Sequence, residues 1–135
     1  MTRETHHMDR EVVSRWVDEY ERAWREDDAD AVESLFTENA TYRRSPYEPS
    51  VIGHDGIKAF WLADAGRTFS TDATVLTVDG DVAVVRVDVF YRTPTEQEYR
   101  DLWILRFAPD GRVADFEEWA YWPGRPVSAL TPAPD

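Results

Sequence analysis

Arg86 and Asp88 stand two residues apart in Val85-Arg86-Val87-Asp88-Val89-Phe90, a run in which every other position is valine. Residues two apart in a β-strand point the same way, so the valines pack one face and the charges share the other. A charge on a face covered by helices is costly unless it is paired or employed. The pair is therefore either a structural ion pair or the heart of a site. Glu117 and Glu118 adjoin in Phe116-Glu117-Glu118-Trp119, and strand alternation turns one of them to solvent. Asp101 falls on the face of Trp103 and Leu105 if its strand is regular, either as a further pocket carboxylate or as an exposed acid of the ordinary kind. Two carboxylates in different protonation states can take one proton and give another.

The elements that would position these groups can be read from periodicity. Asp9 is a good N-cap, and Val12, Val13, Trp16, Val17, Tyr20 and Trp24 follow helical spacing to about Arg25. Asp30 and Glu33 resemble a capping box for a short second helix through Leu35 and Phe36. Residues 40–43 read as a short strand, broken by a loop with Pro46 and Pro49. Ile57, Phe60 and Trp61 mark a third helix after Gly53, with Gly66 as its stop. Strands are expected at about 67–78, 81–93, 98–108 and 112–122, with turns at Asp79-Gly80 and Pro109-Asp110-Gly111. Helices followed by a meander imply an α+β domain, a curved antiparallel sheet wrapped around the long N-terminal helix as a cone open at one end.

Residues 1–8, with His6 and His7, are expected to be a disordered lead or the scar of a tag, residues 9–122 a single domain, and residues 123–135 a Pro-rich extended tail. A length of 135 residues allows one core and a ligand cavity. The net charge of -12, from 27 acidic and 15 basic residues, argues against nucleic acid and anionic membranes as partners. The absence of Cys removes disulfides and thiolate chemistry. No apolar run approaches spanning length and no secretory h-region follows Met1, so a cytoplasmic location is expected. No metal cluster, phosphate loop or dinucleotide fingerprint implies a cofactor. The six Trp, six Tyr and six Phe residues can fill a core or line an apolar pocket. Trp16, Tyr20, Trp24, Phe60, Trp61, Phe90, Trp103 and Phe116 are the candidates. His54, in the Gly-His-Asp-Gly turn before the third helix, reads as a turn or surface histidine. Alternation of Trp119, Tyr121 and Trp122 leaves aromatics on the outer sheet face, where a homodimer interface is expected.

The element order, with Asp28-Ala29-Asp30-Ala31-Val32, Leu35-Phe36-Thr37-Glu38-Asn39-Ala40-Thr41-Tyr42, Gly53-His54-Asp55-Gly56-Ile57 and Gly111-Arg112-Val113, resembles the SnoaL-like branch of the nuclear-transport-factor-2-like superfamily, from Asp9 to Trp122. That superfamily holds cyclases, isomerases, hydrolases and non-catalytic binders, so the fold leaves the function open. Against the ketosteroid-isomerase pattern, Tyr20 matches the helix tyrosine. The base position, however, falls on Arg44 or Ser45 and the acid position near Trp103. The limonene-epoxide-hydrolase pattern is closer: its Arg-Val-Asp resembles Arg86-Val87-Asp88, its tyrosine Tyr42, and its last-strand carboxylate Glu118. Arg44 replaces that family's water-holding asparagine and could instead neutralise Glu118. The resemblance implies Glu118 as base, Asp88 as acid, Arg86 as bridge and Tyr42 as the group that orients water. The implied substrate is a small, largely apolar molecule undergoing epoxide hydration or polyketide-type cyclisation without a cofactor, or simply being bound.

Overall fold

Asp9 caps the first helix as its sequence predicts, its carboxylate accepting from the Val12 amide at 2.9 Å. The computed structural model describes residues 8–63, 65–93 and 96–123. Helix α1 (Arg10–Arg25) buries Val13, Trp16, Val17 and Tyr20 along one stripe, the amphipathic pattern that packs a helix on a sheet. Met8, the last residue of the expected lead, is buried with them. His6, His7 and the Pro-rich tail beyond Pro123 lie outside the described residues.

A 3-10 turn (Ala29–Ala31) leads into the single turn of α2 (Val32–Leu35). The expected capping box is not made: Glu33 instead meets Lys58 at 2.5 Å. Strand β1 (Phe36–Arg43) begins four residues before the predicted start at 40, because Phe36 leaves α2 in extended geometry and is fully buried. A two-residue strand β2 (Val51–Ile52), not foreseen from sequence, pairs with β1 and runs straight into α3 (Gly53–Ala63).

The four long strands, β3 (Thr68–Asp79), β4 (Val82–Thr93), β5 (Gln97–Phe107) and β6 (Val113–Tyr121), fall where the alternation places them. The two tight turns between them rest on Gly80 and Gly111, at φ 63° and 90°, where a side chain would be strained. The sheet order is β2-β1-β6-β5-β4-β3. All pairs are antiparallel except β1 with β6, so the sheet is mixed where a wholly antiparallel one was expected. The last strand returns beside the first and runs the same way.

Register fixes the inner face. Val75, Val85 and Trp103 lie side by side and continue to Glu118; the next inner row runs Ala73, Val87, Asp101, Ala120. Toward the other end Ala83, Leu105 and Phe116 form a third row, which reaches Tyr42 across the parallel pair. The two acids of the inner rows, Asp101 and Glu118, lie on β5 and β6.

Candidate active site

Arg86 and Asp88 share a face, as their spacing requires, but it is the outer one. Val85, Val87 and Val89 fill the inner side completely. The Arg86 and Asp88 side chains are 46% and 23% exposed, with Nε to Oδ1 at 3.2 Å. Alternation separates two faces without saying which one the helices cover; burial of the valines decides it, since three apolar side chains gain by leaving water and two charges lose. Arg86 lies opposite Thr74 and Leu102, and Asp88 opposite Asp72 and Arg100. The expected acid and its bridge are thus a surface ion pair, away from the cavity. Phe90 shares that outer face and is 40% exposed.

The cavity has a volume of about 150 Å³ and is partly open to solvent. Tyr20 and Trp24 reach it from α1, Tyr42 from β1, Arg44 from just past that strand, and Phe60 and Trp61 from α3. Asp101, Trp103 and Glu118 come from the sheet. Two of the expected pocket residues belong to the core instead. Trp16 donates its indole N–H to the Leu35 carbonyl at 2.9 Å, and Phe116 is fully buried beneath the floor.

Asp101 is the buried acid among the residues that line the cavity. It is only 3% exposed, so it is not the solvated acid that was one of its two readings. It is flanked across the sheet by Val87 and Ala120. The small alanine leaves room for Glu118, two residues earlier on β6, to reach the same spot on the diagonal, a separation that long side chains span. Burial raises the Asp101 carboxyl most. The charge of Glu118 and a hydrogen bond with it add to that, and together they push it up to about 11. The neutral carboxyl, and not its anion, is therefore the form of Asp101 that this setting favours. Oδ1 of Asp101 is buried and has no hydrogen-bond partner.

Glu118 is the inward member of its pair. Glu117 turns outward, accepting from Arg43 Nη2 at 2.8 Å and from the Trp119 indole at 2.6 Å. Beside Glu118 the hydroxyls of Tyr20 and Tyr42 meet at 2.9 Å. Burial raises both phenols; next in weight comes the Glu118 charge for Tyr42, and for Tyr20 first Tyr42, then Glu118. Both rings stack on Phe116, at 5.5 and 4.6 Å between centroids and within 8° of parallel. Phe116 therefore acts from below, as the plate that holds two hydroxyls in register with a carboxylate.

Arg44 does not neutralise Glu118: its guanidinium lies over the Phe60 ring, 4.1 Å from the centroid, and it forms no ion pair among the described residues. Its Nε is buried and has no hydrogen-bond partner. Arg67, over Tyr91 at 4.0 Å, lines the same cavity, as do Tyr91, Tyr99, Val89 and Ala120. Extending the parity of Val89 to Tyr91, and of Asp101 and Trp103 back to Tyr99, would have found the two tyrosines. Arg67 precedes its strand and carries no periodic signal. His54 bonds the Phe36 carbonyl at 2.8 Å and ties α3 to β1. Among the described residues no group of three or more His, Asp or Glu is placed to hold a metal ion, and no helix is long and apolar enough to cross a membrane.

A family model described as "SnoaL-like domain" matches residues 13–116. No curated protein matches significantly in sequence. Among solved structures, an LEH-like epoxide hydrolase from M. tuberculosis is similar at 14% identity, over 79% of this chain and 80% of that one, with TM-score 0.62. SalBIII, an epoxide hydrolase/cyclase-like enzyme with a role in pyran ring formation in the polyether salinomycin, is similar at 19% identity, over 82% and 90%, with TM-score 0.66. A ketosteroid isomerase-like protein from Erwinia carotovora atroseptica is similar at 20% identity, over 84% and 97%, with TM-score 0.62. At these identities the likeness establishes the fold.

Proposed function

The chain belongs to the SnoaL-like family, and we propose that it is an enzyme working by carboxylate acid-base chemistry on a small molecule held in the cone. Asp101 is the proton donor and Glu118 the proton acceptor. The observation that carries this reading is the buried Asp101 beside Glu118 in the wall of an aromatic cavity, its carboxyl raised by burial and by the Glu118 charge. A general acid must still hold its proton at working pH, which the raised Asp101 does, and Glu118 beside it is the carboxylate assigned as base.

Epoxide hydration uses these parts directly. Glu118 takes a proton from a water that the Tyr42 hydroxyl orients, and the water oxygen bonds to a ring carbon. The carbon–oxygen bond on the other side of that carbon breaks, and Asp101 protonates the leaving oxygen. The proton gained by Glu118 then passes to Asp101 and restores the starting state. In a cyclisation the substrate's own hydroxyl takes the place of the water. A cavity of about 150 Å³ matches the volume that accommodates a benzene-sized body, so a larger substrate would extend through the mouth.

A second reading, a binder of the same fold, is favoured by one departure. The epoxide-hydrolase pattern has an arginine two residues before its acid, and before Asp101 that place is held by Tyr99. Turnover of small epoxides and hydroxy-epoxides in ¹⁸O-labelled water, with Asp101→Asn and Glu118→Gln beside the wild type, separates the two. The enzyme reading expects label in a diol, or a cyclised ether, with the rate falling at least about a hundredfold in each variant. Equal rates in all three proteins, or saturable binding with no product, would leave the binder.

A further inference from the structure

We propose that the molecule bound in the cone carries an anionic group, in the simplest case a carboxylate, and that Arg44 is the residue that receives it. This rests on the cavity described above being the working site, and it names the substrate class more closely: a small acid with an apolar body.

The inference begins with what a neutral ligand would leave unexplained. The chain carries an excess of acids over bases, so its general field repels anions, and an apolar neutral substrate has no use for a guanidinium at the cavity wall. Arg44 lines that wall. Its flat face is occupied by Phe60 at 4.1 Å, which fixes the plane of the group and leaves its N–H edge to find partners. Nε is out of reach of water and has no acceptor. The nearest acid along the sheet is Glu118, since Arg43 pairs in register with Glu117 and Arg44 follows it. No ion pair joins Arg44 to Glu118, whose carboxylate turns to Asp101 instead.

A guanidinium stacked on a ring and joined to no carboxylate among the described residues offers its two Nη groups as the fork that a carboxylate fills with two parallel hydrogen bonds. An acid held there would lay its apolar part against Tyr42, Phe60 and Trp61. Its reacting atoms would then face Asp101 and Glu118.

The test is a binding titration followed by tryptophan fluorescence, since Trp24, Trp61 and Trp103 line the cavity. Benzoate, cyclohexanecarboxylate and phenylacetate are compared with their primary amides, which match them in shape and lack the charge. In wild type at least one acid should bind at least about tenfold more tightly than its amide. Arg44→Met should remove that preference, and Arg44→Lys, which keeps the charge and loses the fork, should retain part of it. Circular dichroism checks the fold of each variant; if Arg44→Met does not fold, the Lys variant carries the test, and undiminished acid binding there overturns a fork site. Equal binding of acids and amides in wild type, a preference that survives in folded Arg44→Met, or no saturation with any acid would each overturn the proposal. Because these readouts involve no turnover, an acid preference can stand where the acid-base mechanism fails, and conversion of neutral epoxides without an acid preference would sink this proposal alone.

Discussion

Replacing Asp101 by Asn should make the protein more stable as it makes it inactive. The folded carboxyl keeps its proton to about pH 11 against an ordinary value of 3.8, first because burial penalises the anion and then because Glu118 lies beside it. The unfolded chain releases that proton above pH 3.8 while the folded chain retains it. The favourable balance is therefore complete below that pH and drains away as pH climbs toward the folded value. Each pH unit in the window costs about 1.4 kcal/mol, so at pH 7 the carboxyl costs up to about 4 kcal/mol relative to a neutral group of its shape. Asparagine is such a group: it keeps an N–H for Glu118 and has no proton to lose. Urea unfolding at pH 5, 6, 7 and 8, at one fixed protein concentration, reads the effect. The gain of Asp101→Asn over wild type should be smallest at pH 5 and grow by about 1.4 kcal/mol per pH unit. A gain that does not change with pH would mean that Asp101 is ionised in the folded protein, and the assignment of the proton, with the mechanism built on it, would fall.

Three further outcomes follow from the same geometry. Tyr42→Phe leaves the buried Tyr20 hydroxyl without its 2.9 Å partner and should cost about 1–3 kcal/mol in denaturant melts; no loss would show that the Tyr20 hydroxyl finds another partner. Asp88→Asn breaks a partly exposed pair on the outer face and should change stability by no more than about 1 kcal/mol, with turnover and ligand affinity unaltered. A large loss of either would return Asp88 to the site. The outer face, where the sequence leads one to expect a homodimer interface, exposes Leu76, Phe90, Leu102 and Tyr121. Sedimentation equilibrium should show a dimer that Leu102→Arg dissociates; a monomeric wild type would end that expectation.

The long strands, both turns and the capped first helix could be read from periodicity because each is decided locally. Asp9, Gly80 and Gly111 act on their own neighbours, and alternation survives in any strand half-buried on one side. What the sequence left open was decided between strands. The Val-Arg-Val-Asp run shows two faces, yet only the helices packed on the sheet say which is inner, and the apolar one had to be. The same uncertainty applied to Glu117 and Glu118, and there the inward residue was the one that the epoxide-hydrolase resemblance implied. Asp101 was ambiguous because its burial depends on Val87 and Ala120, the small neighbours across the register. The parallel pairing of β1 with β6 left no local trace at all.

That pairing has a kinetic consequence. Tyr42 and Phe116 come from the first strand and the last and meet only when the last strand docks beside the first, and Glu118 arrives with it. Before then the nascent domain has its helices, a meander of three strands and no floor to its cavity. Contacts between such distant segments are the slow ones to form, because a long loop must close first. A molecule that binds in the cone binds only the completed fold, so it would stabilise that fold against any form with β6 undocked. Occupancy of the cavity and closure of the sheet are then two readings of a single equilibrium, and hydrogen exchange in β6 would report on both.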